Sequence, residues 1–308
     1  MDQLNLTSPN FSNSSTTAPP RSWGSKDLAP AVLLSLCFLV GFPGNIAVLI
    51  LRPNWQQLSR LTQCLMMNLA MSDLLCLVTL PVWIYTLLYS WTLGTATCKI
   101  MAFIVHCSLH SSLLTVTALS VQRYMQVIHQ QRCLMFKKRL LVLLWVMSMV
   151  LSIPALVIRD TKVMQDRDMC FPKYTSNAQQ VAVLTSECFV GFSSFIITAS
   201  AYIWLNRKLN KVVFFNSSWT SKLVTGIVIT FFALWMPYFI FDLVVAIAIT
   251  QDDGIKNFFE STYNMFASVT FINSCLNPVL YAFAFRICGK HNEIISSNHE
   301  EPTMTNNM

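Results

Sequence analysis

Several polar side chains lie inside long apolar stretches of this sequence, where each of them needs a chemical reason. The carboxylate of Asp73 falls in the middle of one stretch, with no basic residue at its depth. Amide or hydroxyl side chains lie at comparable depths in other stretches, at Asn45, Ser112, Asn273 and Ser274. A carboxylate among such oxygens suits a hard monovalent cation such as sodium, and it equally suits a water-filled hydrogen-bond network with a partly protonated acid.

Two prolines lie within these stretches at positions that predict movable bends. Proline removes a backbone hydrogen bond, and in a membrane neighbouring groups must satisfy the freed carbonyl. Asn277 directly precedes Pro278, and Tyr281 follows within one helical turn. In the preceding stretch, Trp235 stands two residues before Pro237. The bends indicate that the chain moves, so other residues should drive and restrain that motion.

Two charged residues lie towards the ends of the stretches. Arg123 shares a helical face with Ser112, so it either reaches the inner end of a bundle or extends its guanidinium to the membrane surface. Trp235, Tyr238 and Asp242 recur at i, i+3 and i+7 and share one helical face. Aromatic residues at this spacing usually pack in a core, but the carboxylate of Asp242 indicates a wet cavity near the outside.

The elements that position these residues are membrane helices. The chain has 308 residues, of which 54% are hydrophobic and 11% charged, and its mean hydropathy is +0.51. Soluble domains are about 25% charged. A helix needs roughly 20 apolar residues to cross the hydrocarbon core, and the sequence predicts seven such spans, at 28–51, 62–89, 98–127, 140–158, 179–205, 221–249 and 258–284. We therefore expect an all-α membrane protein built as a bundle of seven transmembrane helices.

The connections between the spans are short and leave no room for a second folded domain. We expect an extracellular N-terminal tail over residues 1–27, the membrane domain over 28–284, and a short cytoplasmic segment over 285–308 that begins with an amphipathic eighth helix. With the N-terminus outside, lysine and arginine are more numerous in the inside segments than in the outside ones. The net charge of +7 then lies mainly on the cytoplasmic side, where it suits anionic membrane lipids or an acidic partner.

Candidate modification sites fit the same orientation. Sequons predict glycosylation of the N-terminal tail at Asn5, Asn10 and Asn13. Of the ten cysteines, only Cys98 and Cys170 fall at outside positions, and in an oxidising compartment these two should form a disulfide. Cys288 follows the last span beside basic residues, a setting that suits palmitoylation.

The motifs together resemble the rhodopsin-like (class A) family of seven-helix G-protein-coupled receptors. The resemblance covers about residues 28–290, and its motifs are Gly44-Asn45, Leu69-Ala70-Met71-Ser72-Asp73, the Cys98–Cys170 pair, Gln122-Arg123-Tyr124, Trp145, Trp235-Met236-Pro237 and Asn277-Pro278-Val279-Leu280-Tyr281. It implies a receptor in the plasma membrane whose extracellular ligand favours an open state, and that state binds a heterotrimeric G protein.

The resemblance also implies roles for single residues. It favours a sodium ion in the pocket formed by Asp73, Ser112, Asn273 and Ser274. The residues implied to rearrange or bend on activation are Arg123, Tyr202, Pro237, Asn277, Pro278 and Tyr281. Trp235 corresponds to the tryptophan beneath the ligand.

Two departures from the family pattern have consequences. The family usually carries Asp or Glu where Gln122 stands, and the three predicted inside loops contain no acidic residue. Arg123 then has no acidic partner in those loops, and we expect raised basal signalling. The fifth span, 179–205, lacks the usual proline, so we expect a straighter helix there.

The ligand class is narrowed by exclusion and by resemblance. Phe271 stands where opsins carry the Schiff-base lysine, and Val105 stands where amine receptors carry an aspartate. The segment 41–45 resembles the chemoattractant branch of the family. Within that branch, the segments 153–159, 170–174 and 235–238 most resemble leukotriene B4 receptors. That resemblance implies an acidic lipid mediator as ligand and a G protein of the Gi type.

Within that branch, Arg159 is implied to pair with the ligand's carboxylate, in a pocket that also includes Glu187, Tyr238, Asp242 and Trp235. A histidine expected four residues after Cys98 is replaced by Ala102, so the ligand need not be the same.

Three alternatives remain at this point. As a surface residue, Arg159 would not bind ligand. The ligand could instead be a chemotactic peptide whose basic groups bind Asp242, Glu187 and Asp252-Asp253. A small-solute transporter is the remote alternative, because paired repeats and interrupted helices are not seen.

No nucleophile–base pair or metal-ligand cluster stands out, so we expect no enzyme and no required cofactor beyond the allosteric sodium ion. Expected partners are the G protein, arrestin and membrane lipids, and no nucleic acid.

Overall fold

The computed structural model describes residues 25–51, 59–128, 137–164, 167–209, 219–249, 258–259 and 262–280, together with 254 and 282. Its helices are α1 Ser25–Leu51, α2 Arg60–Leu77, α3 Leu80–Leu88, α4 Gly94–Ile128, α5 Lys137–Ile158, α6 Asn177–Leu209, α7 Trp219–Ala248 and α8, residues 262–280. Its strands are β1 Arg159–Met164 and β2 Arg167–Pro172. The sites predicted at Asn5, Asn10, Asn13, Asp252, Asp253, Tyr281 and Cys288 lie outside the described residues, as does the predicted amphipathic helix after residue 284.

Six segments of the described chain are long and apolar enough to cross a membrane. They are Leu28–Leu51, Arg60–Leu88, Gly94–Gln126, Lys138–Ile158, Asn177–Leu205 and Thr225–Ala248. The helix α8 is more polar because it carries Asn264, Asn273 and Asn277. Asn273 and Asn277 are accommodated because they are buried in the bundle, where Asn277 bonds Asp73 of α2, and Asn264 lines an internal cavity.

The second predicted span is divided into two helices at a proline. Pro81 lies in the first turn of α3. A first-turn residue needs no N–H for hydrogen bonds within its own helix, so α3 tolerates the proline. Because Pro81 has no N–H to donate to the carbonyl four residues earlier, α2 cannot continue through it. The Thr79 hydroxyl donates to the Cys76 carbonyl at 2.7 Å and so satisfies one of the freed groups at the end of α2. The chain thus bends within one membrane crossing, and the Thr79 hydroxyl satisfies part of the backbone at the bend.

An antiparallel hairpin of β1 and β2, absent from the all-helical expectation, covers the end of the bundle beyond Ile158. The predicted disulfide is present: Cys98 at the start of α4 is bonded to Cys170 of β2, with 5.5 Å between their Cα atoms. Arg167 Nη1 donates to the Leu87 carbonyl at 3.1 Å, which fixes the hairpin to the end of α3 as well. The hairpin is therefore attached at two independent points.

The helix α1 approaches α8 closely at the Pro278 bend. A Cβ built on Gly44 would lie 2.8 Å from Pro278 Cβ, and one built on Gly41 would lie 2.8 Å from Cys275 Cβ. Real side-chain atoms do not approach this closely, so both positions require glycine for packing. The two helices meet backbone to backbone, as small residues allow in membranes.

Replacing Gly44 with alanine should therefore destabilise the protein. Forcing a methyl group into this contact should cost roughly 1–3 kcal/mol of the free energy of unfolding and lower the melting temperature of the purified protein in detergent by a few degrees. Gly226→Ala is the matched control, because its Cβ meets nothing within 4 Å and alanine favours the helix. Equal melting temperatures for Gly44→Ala and the unmodified protein would contradict the close approach.

Candidate functional site

A cavity of about 120 Å³ lies between the hairpin and the middle of the bundle. Most of its wall is apolar, with side chains from α1, α3, α4, α6, α7 and α8, such as Leu34, Val105, Leu109, Val190 and Phe271. Its polar lining includes Arg159, Glu187, Tyr238, Tyr263, His106 and His110. The shape and lining are typical of a small-molecule site, where an apolar wall carries a few placed polar groups.

Arg159 supplies the only Lys or Arg side chain among the described residues that line this cavity. It is buried, with 6% of its surface exposed, so it is not a surface arginine. Its Nη2 donates a hydrogen bond to the Tyr263 hydroxyl, and its guanidinium carbon lies 5.4 Å from the centre of that ring. Its Nε has no hydrogen-bond partner among the described residues. Tyr263 thus holds one side of the guanidinium, and the Nε–H donor remains unpaired among the described residues.

Glu187 of α6 and Tyr238 of α7 both lie in the cavity wall and contact one another. The Tyr238 hydroxyl donates to Glu187 Oε2 at 3.1 Å, which joins α6 to α7. Asp242, one turn further along α7, is fully buried, and neither of its carboxylate oxygens has a hydrogen-bond partner that meets normal geometry among the described residues. Tyr238 has one hydroxyl proton and gives it to Glu187. Asp242 is therefore a buried acid beside the cavity wall without a donor of its own.

Trp235 forms the inner end of the cavity. Its ring stacks between Phe231 and Phe239, with centroid distances of 5.5 and 5.3 Å. On the same helix, Phe231 lies six residues before Pro237, Trp235 two before it and Phe239 two after it. A ligand that presses on the indole therefore contacts the segment of α7 that a proline weakens.

Two histidines and one tyrosine of the cavity were not among the predicted site residues. His106 and His110 lie one turn apart on α4, and Tyr263 lies at the start of α8. A sequence signal existed, because histidines spaced i, i+4 at bilayer depth in an apolar helix need a polar role. Tyr263 gave no such signal, since its role depends on contact with Arg159 across the bundle.

Apart from Arg159, the charged residues in and beside the hairpin lie outside the cavity. The Lys173 ammonium bonds Asp160 Oδ2 at 3.0 Å, and this contact, with a hydrogen bond from the Thr161 amide, lowers the pKa of the Asp160 carboxyl below its usual value. Since Lys173 is mostly exposed, the pair contributes little to stability. It leaves Arg159, the neighbour of Asp160 in sequence, free to turn inwards.

A second polar cluster surrounds Asp73 deeper in the bundle. Ser112 Oγ donates to Asp73 Oδ1 at 3.1 Å, and Asn277 Nδ2 donates to Oδ2 at 2.6 Å. The Ser274 hydroxyl also bonds this carboxylate, and Asn45 Nδ2 donates to the Ser274 carbonyl at 2.9 Å. The structure thus brings together four helices, α1, α2, α4 and α8, around one acid. Asn273, the fourth predicted ligand, is buried at the adjacent position of α8.

The Asn277–Asp73 bond lies at the proline bend. Asn277 precedes Pro278, and its side chain reaches across to α2. On the next face of α2, Asn68 accepts a hydrogen bond from Trp145 Nε1 at 2.9 Å and donates to Thr115 Oγ1 at 2.7 Å. These bonds hold α2 between α4, α5 and α8.

Arg123 lies near the other end of α4. Its Nε and Nη2 atoms are buried without a hydrogen-bond partner within the described part of the chain. Tyr202 of α6 lies beside Arg123 and hydrogen-bonds Thr225 of α7. Gln122, which precedes Arg123, is buried. Tyr281, which is predicted to rearrange together with Arg123 and Tyr202, lies outside the described ranges.

The sequence matches the family described as 7 transmembrane receptor (rhodopsin family) over residues 44–281. Human leukotriene B4 receptor 1 is 30% identical over 292 residues, which cover 88% of this chain and 82% of that receptor. Rat type-1 angiotensin II receptor B and human type-1 angiotensin II receptor are each 27% identical over 271 residues, covering 82% of this chain and 76% of theirs.

The fold, the disulfide and these matches agree with one another. Long apolar helices with polar residues turned towards the bundle interior make a multi-pass membrane protein, and the family consists of signalling receptors rather than enzymes. The chain belongs to the rhodopsin family of seven-transmembrane G-protein-coupled receptors.

Proposed function

We propose that this receptor binds an extracellular acidic lipid mediator, of the kind recognised by leukotriene B4 receptors, and activates a heterotrimeric G protein of the Gi type. The observation that carries the proposal is the buried guanidinium of Arg159 in a largely apolar cavity. In this arrangement the N-terminus faces the outside of the plasma membrane, so that the cavity opens towards the extracellular space.

A buried cation is costly unless it is paired. No described carboxylate forms an ion pair with Arg159, since Glu187 accepts from Tyr238 and Asp160 pairs with Lys173. Tyr263 supplies only a neutral oxygen. A carboxylate on the ligand would pair with the unused donors through charge-assisted hydrogen bonds, while the apolar wall would bury an acyl chain.

Arg159→Ala should therefore reduce the potency of leukotriene B4, used as the probe ligand. Loss of a charge-assisted hydrogen bond of about 1.5–3 kcal/mol corresponds to a potency lower by roughly 10- to 150-fold. The measurement is ligand-stimulated nucleotide exchange on purified Gi protein. Lys173→Ala is the matched control, because it removes a cation from the same face of the protein outside the cavity. Equal potency for both variants at equal surface expression would refute the role of Arg159.

One observation favours a second candidate, a chemotactic peptide with basic groups. Asp242 is fully buried with both oxygens unpaired among the described residues, and Glu187 lies close to it. In the same exchange experiment, Asp242→Asn separates the two candidates. Loss of the response to basic peptides, with the lipid response unchanged, would favour the peptide.

We propose further that the cluster around Asp73 holds an allosteric sodium ion. The residues fit such an ion in chemistry: Asp73 is fully buried with no cationic partner among the described residues, and Asn45 Oδ1 is buried without a hydrogen-bond donor there. Ser112 and Ser274 add hydroxyl oxygens, and hard cations prefer oxygen ligands. Bound sodium would stabilise the resting arrangement of α8 at the Pro278 bend. A water-filled network with a protonated Asp73 is the competing interpretation.

Sodium should therefore lower agonist affinity at constant ionic strength. A coupling of 1–3 kcal/mol corresponds to roughly a 5- to 150-fold change in the affinity of leukotriene B4 between sodium and potassium buffers. Asp73→Asn should remove that difference, because it removes the charge that attracts the ion. If unmodified receptor binds agonist equally well in both buffers, the cluster holds water rather than sodium.

We propose that Arg123 lacks an acidic restraint in the resting state. Gln122 is the adjacent residue and cannot form an ion pair, and two guanidinium nitrogens have no partner among the described residues. The resting state then depends on weaker contacts, and the open state that binds G protein is more populated without ligand.

Gln122→Asp should lower ligand-free signalling. An adjacent carboxylate would give Arg123 a charged partner in the closed state, so basal nucleotide exchange on Gi should fall several-fold. Gln122→Asn is the control, because it shortens the side chain in the same way without adding charge. Basal exchange that is unchanged in Gln122→Asp would sink the proposal.

The predicted cytoplasmic contacts complete the proposed function. Basic residues at the inner ends of the spans suit anionic lipids, and the tail after residue 285 carries hydroxyl residues near Glu300 and Glu301 that suit phosphorylation and arrestin binding. These segments lie largely outside the described residues.

A further inference from the structure

His106 and His110 are two polar groups of the cavity that the proposed function does not use. Both lie on α4, one turn apart, and both line the cavity that contains Arg159. Neither is fully buried in protein, which is consistent with one edge of each ring being open to the cavity. The hydrogen bonds on their other edges determine which nitrogen carries the proton.

The tautomer of His110 follows from a chain of hydrogen bonds to α5. The hydroxyl of Ser152 donates its single proton to the Ser148 carbonyl at 2.7 Å. Ser152 Oγ must therefore accept the hydrogen bond that joins it to His110 Nδ1 at 2.9 Å. Since a hydroxyl has one proton and two lone pairs, His110 Nδ1 is the donor and carries a hydrogen.

The tautomer of His106 follows from its backbone contact. His106 Nδ1 lies 2.8 Å from the carbonyl oxygen of Ala102, one turn earlier on α4. A carbonyl oxygen only accepts, so His106 Nδ1 also carries a hydrogen. In neutral imidazole the second nitrogen is then a lone-pair acceptor. Both rings thus direct a donor towards the protein and leave Nε2 as an acceptor.

The two acceptors have a defined relation to Arg159. Arg159 is at the hairpin end of the cavity, His106 follows on α4, and His110 lies one helical turn of about 5.4 Å deeper. On α6, Glu187 Oε2 already accepts from Tyr238. Along α4 and α6 the cavity therefore offers acceptors inwards of the Arg159 cation at its outer end. Its chemical complement is a carboxylate followed by groups that donate hydrogen bonds.

We propose that His106 and His110 are specificity-determining residues that accept hydrogen bonds from hydroxyl groups on the ligand's acyl chain. This rests on the proposed function and deepens it, because it names the residues that would recognise polar groups along the acyl chain of the acidic lipid. A ketone or an ether oxygen at the same carbon accepts hydrogen bonds but cannot donate one. It would lie against the histidine Nε2, which is also an acceptor, and would leave that nitrogen unpaired.

The test is a binding series on the purified full-length receptor in lipid nanodiscs. The probes are stearic acid, hydroxystearic acids with the hydroxyl at successive chain positions, and the keto and methoxy acid matched to each. At one or more positions the hydroxy acid should bind roughly 2- to 10-fold tighter than its keto and methoxy partners, as expected for a net hydrogen-bond contribution of about 0.5–1.5 kcal/mol. This selectivity is measured on unmodified receptor and needs no variant to fold.

Variants then assign the selectivity to each histidine. His106→Phe and His110→Phe should each reduce the preference for a hydroxy acid, at different chain positions, because phenylalanine keeps the ring and removes the acceptor. His106→Gln and His110→Gln should restore part of it, since the glutamine amide can accept at about the same place. Arg159→Ala should weaken all probes alike and leave the hydroxyl preference in place.

The remaining outcomes overturn the inference in distinguishable ways. Equal affinity for hydroxy, keto and methoxy acids, with Arg159-dependent binding, would refute the histidine roles and leave the acidic-lipid proposal standing. A preference for keto acids would show that the rings donate into the cavity, and it too would refute the proposed tautomers. Binding of none of the acids would refute both proposals.

Discussion

The hydrogen bond between Asn277 and Asp73 is the contact on which the rest of the bundle depends. A membrane supplies no water to a bend in a helix, so the groups freed by Pro278 and the carboxylate of Asp73 need partners within the protein. The 2.6 Å bond joins the bend in α8 to α2, and glycines at 41 and 44 let α1 approach from behind. The backbone of α1 consequently packs tightly against the bend, and the hydrogen bonds to Asp73 are the polar contacts that hold it.

This cluster lies between two arginines with opposite surroundings. At the hairpin end, Arg159 is buried against Tyr263 in a cavity with an apolar wall. At the other end, the half-buried Arg123 lies beside Tyr202, and two of its buried nitrogens have no partner within the described residues. Each arginine therefore gains from a partner that the described chain does not provide. An external ligand at one end and a signalling protein at the other would both stabilise the same open arrangement of the helices.

The path between these ends runs through α7. Trp235 ends the ligand cavity and stacks on Phe231 and Phe239, on either side of Pro237. Tyr238 links that segment to α6 through Glu187, and Thr225 contacts Tyr202 at the far end. Because α7 has contacts at both ends and a proline between them, displacement at the indole can change the geometry near Arg123. Packed interfaces of this kind have discrete arrangements rather than a continuous range.

The sequence by itself determined the seven crossings, the disulfide between Cys98 and Cys170 and the set of buried polar residues, because hydrocarbon length, an oxidising compartment and the cost of burying charge act on local composition. It did not reveal that Pro81 divides one crossing or that the chain forms a hairpin after Ile158. Only the tertiary structure decided that Arg159 turns inwards to Tyr263, that His110 donates to Ser152, and that Asp242 is left without a donor. These facts depend on which residues meet across the bundle, and contacts between distant segments are not encoded in the spacing of any one helix.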